Sequence, residues 1–398
     1  MSDHARVSGF RFAGGACGIK PQGKPDLGLL VADEDAAAAA VFTRNRVRAA
    51  PVLLAAERLE LGRARGILVN SGNANACTGK RGLAAARNAT AALADALGVE
   101  DDLVLPASTG VIGVPLPDDR IRDAVPALVD RLSPDGALDF AAAILTTDRW
   151  PKVASARVSL GKSRAITVLG IAKGAGMIHP NMATTLGFVV TDAPASSSFL
   201  RRALRRATDE TFNALTVDGD TSTNDAIFAL ASGRADVPSL RGDDRDARKF
   251  RDALRDVLAE LGRSIVRDGE GAERVVTIEV TGAASEEAAR KVARAVSASL
   301  LVKAAIHGCD ANWGRILAAA GNAGVAFDPD KVEIRFDDIV LVRKGVGIGP
   351  AADRDAAEVM RRPAYTIRVK LGPGKARAHY LMCDIGPEYI RINAAYRS

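Results

Sequence analysis

Residues 173–192, KGAGMIHPNMATTLGFVVTD, constrain this chain more than any other stretch. Small residues follow Lys173, and Pro180 lacks a backbone donor and bars Ile178 and His179 from continuing a helix, so the first half reads as a loop. From Leu186 to Val190 the residues are apolar and partly β-branched, which reads as a buried strand. Thr184 and Thr185 therefore stand where a glycine-rich loop enters a strand. A threonine hydroxyl is a poor nucleophile without a base beside it, and cutting the chain just before it turns its own freed amine into that base. Ala183-Thr184 suits such a cut, because the small residue leaves the carbonyl accessible. On spacing alone the same pattern is also that of an ordinary turn.

A chain of 398 residues can bury a large core and is expected to hold two domains or one large one. Hydrophobic residues make up 47% and aromatics only 4%, so that core is built from Ala, Val, Leu and Ile. The net charge of +6 is spread out, apart from Arg201, Arg202, Arg205 and Arg206. That quartet reads as the wet face of a helix, and with no aromatic platform beside it a nucleic-acid partner is not expected. Cys17, Cys77, Cys309 and Cys383 are widely separated without a CxxC spacing, which predicts reduced, mostly buried thiols and no metal site. The N-terminus shows no secretion signal, and no apolar run is long enough to span a bilayer; a cytoplasmic protein with no membrane partner is expected.

Along the chain, the glycine cluster within residues 10–20 lacks a Gly-Lys-Ser/Thr ending and reads as a turn. Residues 38–45 read as a strand with a basic turn, and 66–71 as a short buried strand running into an Asn/Gly loop. Helical stripes follow at Leu83–Leu97, stopped by Gly98, and at Ile121–Leu132, with further helices over 197–214 and 250–265. From about residue 285 the pattern becomes helix, strand 332–336, helix 353–361 and a hairpin of 365–370 with 377–383 around Gly372-Pro373-Gly374. That order predicts a smaller α+β domain, 285–398, packed on a main domain of 1–284.

Six segments carry polar residues open to two readings. Ser108-Thr109-Gly110 is either a strand end or an oxyanion hole, since Gly110 offers an unencumbered backbone N–H beside the Thr109 hydroxyl. Thr146-Thr147-Asp148 is either a helix cap or a contact to substrate. Residues 216–225, TVDGDTSTND, are loop chemistry without the ligand alternation of a calcium loop. Glu270, between two glycines, is either an exposed turn residue or an acid that binds an amino group. His307-Gly308-Cys309-Asp310 lacks the rest of a metal ligand set, and the tail from Asn393 to Ser398 is expected to fray.

Taken together, KGAGMI with PNMAT, NSGNANACTG, STGVIG, TTD, VDGDTSTND, GEGA and HGCDANWGR resemble the ornithine acetyltransferase (glutamate N-acetyltransferase) family of arginine biosynthesis over nearly the whole chain. The resemblance implies an α/β (α+β) fold, a layered αββα sandwich of the N-terminal-nucleophile type with a smaller C-terminal domain. It implies autocleavage between Ala183 and Thr184, giving chains 1–183 and 184–398 that associate as an α2β2 heterotetramer. It assigns Thr184 as nucleophile, Thr109 and Gly110 to the oxyanion hole, and Thr146, Lys173, Thr184, Glu270, Asn393 and Ser398 to substrate binding, with Asn224 and Asp225 orienting the site from behind. Lys173 held near the Thr184 amine would keep that amine a free base by like-charge repulsion. The HGCDANWGR block is expected to be a structural network. Arg149-Trp150 departs from the family's smaller residues after TTD, which leaves the shape of that loop open.

The activity so implied is ping-pong acetyl transfer from N2-acetylornithine to glutamate, with acetyl-CoA a possible second donor and no cofactor. The alternative is a self-processing aminopeptidase or amidase using the same threonine with water as acceptor. A non-catalytic basic binding module ranks third.

Overall fold

The structure is a computed structural model that describes residues 5–161, 164–179 and 185–395. The strands of the first half are β1 (Phe10–Gly15), β2 (Leu27–Phe42), β3 (Arg63–Asn73), β4 (Val104–Val111), β5 (Lys152–Ser159) and β6 (Ala165–Lys173). The second half supplies β7 (Leu186–Thr191), β8 (Leu215–Thr216), β9 (Ala226–Ala231), β10 (Val275–Ala283), β11 (Glu333–Phe336), β12 (Ile339–Arg343), β13 (Val346–Gly347), β14 (Ala364–Lys370) and β15 (Ala376–Cys383). The helices are α1 (Ala50–Arg58), α2 (Gly79–Leu97), α3 (Asp118–Val129), α4 (Ala137–Ala143), α5 (Ser197–Glu210) and α6 (Arg245–Arg267). They continue with α7 (Glu286–Ala298), α8 (Leu300–His307), α9 (Trp313–Gly321), α10 (Pro350–Met360) and α11 (Pro387–Ala395).

Two sheets, each covered by helices, make the mixed α/β fold. The first runs β4-β3-β2-β9-β7-β6-β5, with β1 added on β2. Strand β7 is buried along its whole length, as its apolar sequence requires, because it lies between β6 and β9 with packing on both faces. On one face α5 and α6 bury Phe199, Leu204, Leu254 and Leu258 against it. On the other, Phe188 stacks on Phe228 at 5.7 Å and meets the edge of Phe140 from α4 at 5.1 Å. The glycine cluster follows a strand: Phe10 and Phe12 alternate inward on β1 and pin it to β2, β1 ends at Gly15, and residues 16–20 turn away as loop and bend.

The second sheet runs β13-β12-β11-β14-β10-β15-β8 and takes β8 and β10 from ahead of residue 285. Its core is Val276, Ile278 and Val280 of β10 with Val292 and Val296 of α7. The hairpin expected from 365–370 and 377–383 does not form. Strand β10 inserts between its two arms, parallel to β14 and antiparallel to β15. Gly372-Pro373-Gly374 therefore bridges the end of β10, with Leu371 N–H donating to Thr281 O at 2.9 Å and Gly374 N–H to Gly282 O at 3.2 Å. A side chain on Gly374 would collide with the Ala283 carbonyl, so the turn can cross only as glycine.

Other readings hold with small shifts. Helix α2 ends where Gly98 takes a left-handed conformation, φ 66°, and the arginine quartet of α5 is exposed. The helix expected to reach 214 stops at Glu210, because Thr211 leaves the helical region and a short 3-10 turn follows. Among the cysteines only Cys383 is buried; Cys17 and Cys309 are half-buried and Cys77 is exposed, all as free thiols. Among the described residues no helix is long and apolar enough to cross a membrane.

Candidate active site

Where β6 ends and β7 begins, a cavity of about 200 Å³ opens. Thr109 and Gly110 enter it from the end of β4, Thr146 from the loop after α4, and Lys173 from the end of β6. Thr185 and Leu186 line it from the start of β7, Asn224 and Asp225 from the loop before β9, Glu270 from the loop after α6, and Asn393 from α11. Every described residue that the sequence assigned to catalysis or substrate binding thus borders one space. Ala183, Thr184 and Ser398 lie outside the described residues, as does the peptide bond expected to be cut.

Lys173 organises one wall. Its Nζ donates to Thr146 Oγ1 at 2.7 Å and to Thr109 Oγ1 at 3.4 Å, and lies 3.6 Å from Asp148 Oδ2. An ammonium can only donate, so both threonine oxygens act as acceptors here and keep their own hydrogens free for another partner. Gly110 has φ 133°, and a Cβ there would run into the backbone of Gly72 and Asn73. Only glycine lets the STG turn close on the NSGNANA loop. Asn224 ties this junction from below, donating to Ala74 O at 2.6 Å and Ser108 O at 2.8 Å. Its neighbour Asp225 is buried, and its Oδ2 has no partner; burial pushes that carboxyl well above the usual range.

The opposite wall is acidic. Glu270, 7% exposed, accepts from Asn393 Nδ2 at 2.7 Å, and its backbone N–H donates to Ala175 O at 2.9 Å. Asp218 accepts the N–H groups of Met177 and Ile178 at 2.5 and 2.8 Å, holding Met177 at φ 55°. A residue without a glycine's freedom rarely sits there, and the two charge-assisted bonds offset the strain.

Beneath the site lies a network the sequence did not disclose. Asp148 and Lys152 are fully buried, with Lys152 Nζ at 2.7 Å from Asp148 Oδ1 and 2.6 Å from Asp268 Oδ2. Gly174 N–H also donates to Asp148 at 2.6 Å. Burial alone would raise the Asp148 carboxyl; Lys173, Lys152 and these hydrogen bonds outweigh it and hold the group well below the carboxylate range. Arg149 settles the loop that the sequence left open. Its Nε pairs with Asp268 at 2.8 Å, and its guanidinium stacks 4.8 Å above Trp150, whose Nε1 donates to Ser264 at 3.3 Å. The TTD loop is thereby fastened to the end of α6 and so to the Glu270 loop.

A second contact missed by sequence reading involves His179. Arg294 Nε of α7 donates to His179 Nε2 at 2.7 Å, so the ring hydrogen is on Nδ1, which donates to Thr216 Oγ1 at 3.1 Å. Burial and the charges of Arg294 and Lys303 push this imidazole down to about 4. Neither contact has a local sequence signature, because the partners are far apart in the chain.

None of the HGCDANWGR block lines the cavity. His307 Nδ1 meets Asp384 Oδ2 at 2.9 Å, and Asn312 caps α9 by accepting from Arg315 N–H at 3.2 Å. Glu273, His307 and Asp384 come close enough to suggest a metal centre, but Arg274 bonds both carboxylates, at 3.0 and 3.4 Å, and supplies the positive charge.

The sequence profile described as the ArgJ family matches residues 11–398. Two relatives, each named arginine biosynthesis bifunctional protein ArgJ, come from Syntrophotalea carbinolica and Geobacter sulfurreducens. The first is 46% identical over 99% of this chain and all of its own length, the second 48% over 98% and likewise all of its length. The crystal structure of arginine biosynthesis bifunctional protein ArgJ from Bacillus halodurans is 40% identical with a TM-score of 0.51, covering 52% of this chain and 98% of its own. A match across this much of the sequence places the chain in the ArgJ family.

Proposed function

We propose that this chain transfers the acetyl group of N2-acetylornithine to glutamate through an acetyl-Thr184 intermediate, giving ornithine and N-acetylglutamate. One observation carries the reading. Thr109, Thr146, Lys173, Glu270 and Asn393, from five separate segments, border one cavity whose wall includes Thr185, the neighbour of Thr184. The curated relatives' names, which place them in arginine biosynthesis, support it.

Maturation comes first. Thr184 Oγ attacks the Ala183 carbonyl, the peptide C–N bond breaks, and water hydrolyses the resulting ester to free the Thr184 amine and the Ala183 carboxylate. The solved Bacillus halodurans chain agrees with such a division, since nearly all of it aligns with about half of this one. In transfer, the amine takes the hydroxyl proton as Oγ attacks the acetyl carbonyl. The Thr109 hydroxyl, whose oxygen is engaged by Lys173, turns its hydrogen to the developing oxyanion together with the Gly110 N–H. The C–N bond then breaks, the proton passes to the leaving amine of ornithine, and glutamate's amine takes the acetyl group by the reverse steps. Lys173 faces a substrate carboxylate, and Glu270 with Asn393 faces a substrate ammonium. Acetyl-CoA serves as an alternative donor, the chain needs no cofactor, and the mature protein is a cytoplasmic α2β2 assembly of chains 1–183 and 184–398.

Intact mass and N-terminal sequencing of the purified protein, with an acetyl-exchange assay, test this reading. Two chains, the second beginning at Thr184, and ornithine release that depends on glutamate are expected. A single uncut chain that transfers acetyl would overturn the mechanism. Ornithine release at full rate without glutamate would move the protein to the hydrolases.

A further inference from the structure

The two charged walls of the candidate site are braced against each other from beneath. Asp148 holds the first wall at three points. Its Oδ1 accepts the Gly174 N–H at 2.6 Å, and its Oδ2 accepts the Thr146 N–H at 3.1 Å and lies 3.6 Å from Lys173 Nζ. Asp268 stands two residues ahead of Glu270, on the second wall, and accepts from Arg149 through the backbone N–H at 3.0 Å and Nε at 2.8 Å. Lys152 joins the two acids, 2.7 Å from one and 2.6 Å from the other, with all three side chains fully buried. None of the three lines the cavity, so they can act only through the residues they hold. A second strut runs beside the first. The Glu270 N–H donates to Ala175 O at 2.9 Å, and a side chain on Gly176 would strike the Glu270 carboxyl, so the loop of residues 173–176 lies directly against that acid.

We infer that the Asp148–Lys152–Asp268 bridge fixes the spacing between the Lys173 ammonium and the Glu270 carboxylate, and that this spacing selects the acetyl donor by chain length. The inference rests on the acetyl-transfer reading. In N2-acetylornithine the α-nitrogen is an amide, so the charges left are a carboxylate at one end and an ammonium at the tip of the side chain. A cation and an anion held at a set separation match one such length, and an added methylene must buckle or leave one end unpaired. Stretching the bridge would separate buried opposite charges in a low-dielectric interior, which is costly, so the spacing resists a longer donor. Asp148, Lys152 and Asp268 are thus positioning residues, which keep the substrate-binding groups in register.

Initial rates of the full-length protein with N2-acetylornithine and with N2-acetyllysine, glutamate being the acceptor, test it. The parent should prefer the shorter donor by about tenfold or more in kcat/KM, the usual worth of one methylene in a fitted pocket. Asp268→Asn should shrink that preference to about threefold or less, through a raised KM for N2-acetylornithine more than a lowered kcat. Arg149→Ala removes a half-exposed side chain and leaves Lys152 on Asp268, so it should move the ratio the same way by less. Poorer folding or cleavage scales both rates alike and leaves the ratio where it was, so a changed ratio reports on spacing. Should Asp268→Asn not fold, Arg149→Ala decides alone. An unchanged ratio in the folded variants, or a parent that does not prefer N2-acetylornithine, overturns the inference while the acetyl-transfer reading stands. A parent that transfers from neither donor removes both.

Discussion

Asn393 Nδ2 donates to Glu270 Oε2 at 2.7 Å, joining the last helix of the chain to a loop more than a hundred residues earlier. The contact turns a C-terminal segment into one wall of the candidate site. Because Glu270 is buried there, its carboxylate depends on Asn393 and on substrate for hydrogen bonds. Asn393→Ala should raise the KM for glutamate by about tenfold to a hundredfold, the range for one hydrogen bond to a charged group. Cleavage at 183–184 should proceed as in the parent. Steady-state kinetics with an SDS gel would check both, and an unchanged KM would remove Asn393 from the binding site.

Two threonines are expected to fail differently. Thr184→Ala should give one uncut chain without transfer activity. Thr109→Ala should fold and lose about a hundredfold in kcat, as when one oxyanion donor is removed. Thr109→Ser, which keeps the hydroxyl that accepts from Lys173, should recover most of that loss.

Lys152 bridges two fully buried carboxylates, which Lys173 and Arg149 each reach only singly. Lys152→Met would leave Asp148 and Asp268 short of positive charge and should cost about 3–5 kcal/mol of stability, read as a drop in the denaturation midpoint. Asp148 also sets a pH limit. Its folded pKa is depressed, so its contribution is complete above the ordinary carboxylate pKa and is lost as the pH falls below that value through the folded one. Chemical denaturation should show stability falling with acidification below about pH 4.

The His179 pKa is depressed as well, and because its ordinary value is higher, its acid sensitivity begins at a higher pH. Its folded pKa, about 4, lies below the ordinary 6.5, so the neutral ring is favoured in the fold. Stability from this group is complete above pH 6.5 and declines as the pH falls toward about 4, where the ring must take a proton against Arg294 and Lys303. Imidazole NMR should show a neutral Nδ1–H tautomer throughout pH 5–8. Titration near the ordinary value would mean that Arg294 does not hold the ring.

The cavity's residue types were legible because each sits in a short motif whose glycines and hydroxyls are visible without a fold: Thr109-Gly110, Thr146, Lys173, Glu270. The support beneath them was not. Asp148, Lys152 and Asp268 look like three unrelated charges in turns, and only the crossing of the β5–β6 edge with the end of α6 makes them one buried cluster. Strand β7 could be read from its composition, since a strand buried on both faces is apolar throughout. The false hairpin at 365–383 was a different failure. Two β-rich runs around a Gly-Pro-Gly turn satisfy the local pattern, and nothing local reveals that β10 has already taken the place between them.

That first sheet has one more consequence. Strand β9 lies against β2, and β7 against β6, so two backbone ladders cross the 183–184 position rather than one. A nick there would not create two independent bodies. The fragments would stay laced by main-chain bonds through a common hydrophobic interior, travel together through a native column, and come apart only when the whole sheet melts.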